Sequence, residues 1–165
     1  MSVRPILLWP DPRLSQTCAP AEGDVSALVA DLFETMYDAP GRGLAAPQIG
    51  VMRRLAVVDC SEGGARAPVR LANPELIETS SGTRDHDEAS PNLPGVSARV
   101  TRPALAKVRY LDEGGAIVER WVEGLWATSV QHQIDHLNGM VFVDRLSRVK
   151  RKMVLDRFAK LRKRG

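Results

Sequence analysis

His132 and His136 stand four residues apart in Gln131-His132-Gln133-Ile134-Asp135-His136. On a helix that spacing puts both imidazoles on one face, about one turn apart, where they can reach a single metal ion. The same spacing holds zinc in metalloproteases of the H-E-x-x-H type, whose glutamate works beside the metal as general base. Here the residue after the first histidine is Gln133, a carboxamide that cannot take up a proton at neutral pH. The spacing suits a metal site, and the base is missing. Read blandly, a histidine pair on a helix is a structural or surface feature.

A second stretch, Gly41-Arg42-Gly43-Leu44-Ala45-Ala46-Pro47-Gln48-Ile49-Gly50, is rich in small residues that let backbone approach a neighbour. It lacks the Lys-Ser/Thr of a phosphate-binding loop. Around these stretches the apolar spacing of Val25, Leu28, Val29, Leu32, Phe33 and Met36 predicts a helix, with Asp24 as its N-cap and Pro40-Gly41 as its stop. Leu55 to Val58 reads as a buried strand. Val69 to Leu71 and Glu75 to Glu78 read as two short strands broken by Asn73-Pro74. Ser80 to Asp87 reads as exposed polar chain, and the prolines of Glu88 to Gly95 predict a loop. Leu105 to Leu111 and Ala116 to Val122, flanking Asp112-Glu113-Gly114-Gly115, form a hairpin pattern. A helix from about Gly124 to Asn138-Gly139 carries the histidines. Ser147 caps a last basic helix, with Val149, Met153, Val154, Phe158 and Leu161 as its apolar side. The expected architecture is a single α+β domain over 1–165: short antiparallel sheets around a central helix, plus a C-terminal helix over about 147–164.

At 165 residues with 44% hydrophobic and 26% charged residues, the composition is that of a soluble globular domain. No run approaches a membrane span, and Met1 to Pro12 does not read as a signal peptide. A cytoplasmic location is expected, with Cys18 and Cys60 as free buried thiols. The net charge of +3 hides an asymmetry. Arg145 to Arg164 hold ten Lys and Arg against Asp156, leaving 13 basic against 19 acidic groups before them. A basic tail on an acidic body suggests a polyanionic partner, or simply a solvated helix face.

Three stretches together resemble the peptide deformylase family, whose members remove the formyl group from the N-terminal methionine of new bacterial polypeptides with a bound divalent iron or zinc ion. Gly41 to Gln48 match the first motif, G-x-G-L-A-A-x-Q, in full. Gln131 to Leu137 match Q-H-E-x-D-H-L except at Gln133. Glu88-Ala89-Ser90-Pro91-Asn92 falls on E-G-C-L-S and keeps only the glutamate. Pro10 to Leu14, the hairpin, and Asn138-Gly139 followed by Val141 to Leu146 also look like the family.

The resemblance implies metal ligands at His132, His136 and Ser90, where the family has a cysteine. It implies a base at Gln133, where the family has a glutamate. It implies oxyanion donors at Gln48 and at the backbone N–H of position 91, where Pro91 has none to give. Gly43, Leu44, Leu125 and Ser129 fall at substrate-binding positions. Thr128, Ser129 and His86 are more polar than a methionine pocket requires. His86 or Asp87 is an alternative third ligand, and Glu88 with Arg102 is a structural ion pair. With ligand, base and donor all changed, metal binding is expected to be weak or absent. The reading is a catalytically impaired homologue that keeps the fold and binds peptide N-termini, or the ribosome through its basic helix. The alternative is an active metal-dependent deformylase.

Overall fold

The computed structural model describes residues 2–165; Met1, the first residue of the stretch read for a leader, lies outside the described residues. Helix α1 (Ser26–Asp38) is followed by strands β1 (Gly43–Ala45), β2 (Leu55–Val58) and β3 (Val69–Thr79). Then come β4 (Thr83–Glu88), β5 (Ala98–Pro103), β6 (Leu105–Leu111) and β7 (Ile117–Glu123), and helices α2 (Gly124–Leu137) and α3 (Arg148–Arg164). The strands make an antiparallel five-stranded sheet in the order β1-β2-β3-β6-β7 and a two-stranded sheet of β4 and β5. The fold is α+β, as the sequence predicts, with α2 as its central helix.

Strand β2 shows why. All four of its residues, Leu-Ala-Val-Val, are buried, because the sheet is covered on both faces. Leu55 and Val57 pack with Val29, Leu32 and Met36 of α1. Val58, with Leu71, Ala106 and Val108 of neighbouring strands, meets Ala127, Val130 and Ile134, which share one side of α2. Every residue of α2 from Ala127 to Leu137 is buried, so its polar side chains must find partners inside the protein. A third cluster joins Leu93, Val96 and Val100 to Phe142 and to Phe158 of α3.

Several expectations change. Helix α1 starts at Ser26 with Val25 as its flanking residue; Asp24 instead accepts the Ser26 backbone N–H at 2.9 Å, one residue outside the cap. The two short strands around Asn73-Pro74 are one, β3, which tolerates the proline through an irregularity between Ala72 and Glu75 where Asn73 takes φ 49°. The polar segment before Glu88 is strand β4, paired along its length with β5. On α3, Val149 and Met153 are 70% and 65% exposed; Val154 and Phe158 pack against the body as expected, together with Leu155, and Leu161 lies over Gly95. Ser147 caps α3 as expected, accepting the Lys150 backbone N–H at 3.2 Å. Cys18 and Cys60 are free and buried, and burial pushes the Cys60 thiol up to about 11. Among the described residues no helix is long and apolar enough to cross a membrane.

Candidate active site

Helix α2 delivers His132 and His136 to one point: their Nε2 atoms lie 3.1 Å apart. His132 Nδ1 is 2.8 Å from Glu88 Oε1, at the end of β4. A carboxylate accepts only, so His132 carries a proton on Nδ1, and when the ring is uncharged its Nε2 is left as acceptor. His136 must then donate from Nε2. That leaves His136 Nδ1 as a bare acceptor, consistent with its having no partner although fully buried. Burial first, and then the neighbouring His132 and Arg102, hold the His136 imidazole well below its ordinary range, so it is neutral at physiological pH.

Glu88 is fixed by more than the histidine. Arg102 of β5 grips it with two bonds, Nε to Oε2 at 2.7 Å and Nη2 to Oε1 at 3.0 Å. Its remaining Nη1 donates to Asp135 Oδ2 at 2.9 Å. Asp135 is also held by Arg145, at 2.6 and 3.0 Å. Burial opposes the Glu88 charge, but His132 and Arg102 outweigh it and bring the carboxyl down to about 2. The expected Glu88–Arg102 pair is therefore one part of a larger buried network tying β4, β5 and α2 together. Asp135 and Arg145 escaped sequence reasoning; the former lies inside the histidine motif one position before His136, the only hint available.

The second centre is Asn92, fully buried and also missed as a partner. Its Oδ1 accepts from Gln48 Nε2 at 2.7 Å and from Ser90 Oγ at 2.9 Å, and its Nδ2 donates to Leu7 O at 2.7 Å. Gln48 Nε2 also approaches Ser90 Oγ at 3.4 Å, while Gln48 Oε1 accepts the Ala45 backbone N–H. The Leu7 and Trp9 backbones pair with those of Gln48 and Asn92, so the apolar N-terminal segment clamps both motifs in place.

A cleft of about 200 Å³ opens over these residues. Gln48, Pro91, His132 and Gln133 border it, with Gly43, Leu125 and Ser129 beside them. Ser90 and His136 lie beneath, both buried. Gly43 has no side chain for a clear reason: a Cβ there would come 2.5 Å from Gln133 Nε2 and 2.8 Å from Ser129 Oγ. Leu44 requires a correction. Strand alternation turns its side chain away from the cleft into the α1 core, leaving only its backbone for a ligand. His86 and Asp87 also border the cleft, yet no bond joins either to the histidine pair.

The residues present do not fit the family's metal site. Two imidazoles are suitable donors, but the third position offers the Ser90 hydroxyl, which is neutral and already bonded to Asn92. Among the described residues no three His, Cys, Asp or Glu side chains are placed to share an ion.

The α+β fold, with a central helix carrying the paired histidines, is that of solved peptide deformylases. Residues 3–152 match the family described as polypeptide deformylase. The chain is 46% identical over 165 residues to a peptide deformylase of Hyphomonas neptunium, covering 97% of this chain and 94% of that one. It is 44% identical over 167 residues to one of Rhizobium meliloti, covering 99% and 96%. A crystal structure of a peptide deformylase from Legionella pneumophila matches at TM-score 0.89 and 42% identity, covering 99% of both chains. One from Ehrlichia chaffeensis in complex with actinonin matches at TM-score 0.89 and 36% identity, covering 97% and 98%. The chain belongs to the peptide deformylase family.

Proposed function

We propose that this chain uses the deformylase cleft to bind peptide N-termini and is no longer an efficient deformylase. The observation that carries this reading is the fate of Ser90. At the family's thiolate position stands a hydroxyl that donates to Asn92 Oδ1 at 2.9 Å. A hydroxyl is a far poorer ligand than a thiolate for iron or zinc. Gln133 cannot serve as general base, a function worth ~10²–10⁴ in rate. Pro91 supplies no N–H, and loss of one oxyanion donor costs ~10²–10³. Gln48, the family donor that is retained, directs its amide group at Asn92 and Ser90. These factors do not multiply, because groups acting as a unit are not additive.

The second reading is a working metal-dependent deformylase. It is favoured by the relatives named peptide deformylase at 42–46% identity across nearly the whole chain, and by the retained His132, His136 and Gln48. Formate release from a formyl-Met peptide separates the two. The parent and Gln133→Glu are expected near the buffer rate, and Ser90→Cys/Pro91→Leu/Gln133→Glu is expected to show measurable turnover. An active parent overturns the proposal in favour of the second reading. An inactive triple variant that binds stoichiometric metal would show that the pocket itself has diverged.

A further inference from the structure

Among the described residues the five-stranded sheet ends at β7, with no strand beyond it. All seven residues of β7 pair with β6 and no register shift interrupts them. Its far side is therefore a straight row of backbone N–H and C=O groups with no strand to meet. A proline or a bulge would blunt such an edge, and β7 has neither. The opposite edge, β1, is only three residues long. Strand alternation puts Val122 against α2 and turns Ile117, Glu119, Trp121 and Glu123 to the other face. There Ile117 is 70% and Trp121 48% exposed. Between them Glu119 accepts from Arg109 at 2.6 Å and faces Lys107 at 3.8 Å. No residue of β7 borders the cleft.

We infer that β7 pairs antiparallel with β7 of a second copy of this chain, about a two-fold axis at Glu119, so that the two sheets run on as one. Opposed residues of an antiparallel pair share a face, so such an axis passes through a residue and few registers are open. An axis at Glu119 sets Ile117 of each copy across from the partner's Trp121. The two exposed apolar side chains of the strand then cover each other twice, as aromatic and β-branched pairs that favour sheet association. The two Glu119 carboxylates that meet at the axis each have Arg109 and Lys107 beside them, which offsets their repulsion. An axis at Arg120 would oppose two guanidinium groups and set Trp121 against Glu119. One at Trp121 would set Glu119 against Glu123, and one at Val118 would set Trp121 against Gly115. Of these registers only the first pairs both apolar side chains. One strand pair is a small interface, so the association belongs in the micromolar range rather than the nanomolar.

Sedimentation velocity of the full chain across the micromolar range tests this. The mass is expected to rise with concentration from 18.1 kDa toward twice that value. Ile117→Lys/Trp121→Lys, which alters only exposed side chains, is expected to stay at 18.1 kDa throughout and to melt with the parent. Thiol oxidation reads the register. Opposed residues bring their Cβ atoms to roughly 4.5–5.5 Å, near the span of a disulfide. Glu119→Cys is therefore expected to form a covalent dimer at least about tenfold faster than Ile117→Cys, whose two copies would stand about 13 Å apart along the strands. The native Cys18 and Cys60 are buried. A parent that stays at 18.1 kDa over that range overturns the inference. A dimer that persists in the folded lysine variant overturns the assignment to β7. Equal cross-linking at positions 117 and 119 overturns the axis at Glu119.

Discussion

Arg102→Met tests the buried network that positions His132. Arg102 is 4% exposed and makes three charge-assisted bonds, two to Glu88 and one to Asp135. Methionine fills much of the same volume with no charge. Asp135 would keep its two bonds from Arg145, whereas Glu88 would keep only the His132 contact. The penalty therefore falls mainly on one buried carboxylate stripped of its cation, for which about 3–5 kcal/mol is the ordinary loss. A chain of this size melts with an entropy of roughly 0.35 kcal/mol/K, so the melting temperature should fall by about 9–14 °C. Circular dichroism melts at neutral pH measure it. If the cost is an uncompensated charge, Arg102→Met/Glu88→Gln should recover part of the loss, since a carboxamide can still accept from His132. A single variant melting within about 2 °C of the parent, or a double variant no better than the single, would refute the reasoning.

Asp59, buried beneath Tyr37, is held down at about 2: burial opposes its charge, but bonds from Ser61, Tyr37 and the Ala67 backbone outweigh it. A depressed carboxyl contributes stability that is complete above its unfolded value near 3.8 and is lost as pH falls toward about 2. Asp59→Asn should therefore be less stable than the parent at neutral pH, with the gap in urea midpoints narrowing below about pH 4; a gap independent of pH would contradict this. On α3, Arg151 and Lys152 are already paired with Asp144 and Asp156, so the cations open to a polyanionic partner include Lys150, Arg157 and Lys160. Reversing these three to Glu should abolish salt-sensitive co-sedimentation with ribosomes; unchanged co-sedimentation would leave the tail a solvated face.

The histidine helix, the buried strand β2 and the β6–β7 hairpin were legible because each obeys one period along the chain and packs apolar residues on one side or on both. Strand β4 was not, for a reason specific to this fold. Its more buried row is Arg84, His86 and Glu88, because Arg84 bonds Thr128, His86 borders the cleft and Glu88 is held by Arg102 and His132, so polar partners receive it. Hydropathy sees only charge there. The same logic hid Asn92, whose role depends on Leu7 and Gln48, 85 and 44 residues away in sequence. On α3 the error ran the other way: Val149 and Met153 sit at helical spacing but point to solvent, whereas Val154, Leu155 and Phe158 pack on the body and Leu161 and Arg162 reach Gly95 and Trp9.

On the proposed reading, the three substitutions at the site are not independent losses. The family's cysteine and glutamate would bring two negative charges beside a buried pair of imidazoles, charges that a divalent cation offsets. Without that cation each would be an isolated anion in a low-dielectric interior, at a cost of several kcal/mol. Here one is a hydroxyl and the other a carboxamide, so both positions are neutral where the family's are charged. The remaining contacts close around that neutrality. The imidazoles bond to each other at 3.1 Å, and Ser90 bonds to Asn92. Asn92 in turn occupies Gln48. Restoring Glu at position 133 alone would place an unpaired carboxylate against Gly43 and Ser129 with no cation beside it, which is why that single change is expected to cost stability without returning activity. Restoring the thiolate with it brings back the ligand set that a cation needs, and only then does the carboxylate have a charge to balance.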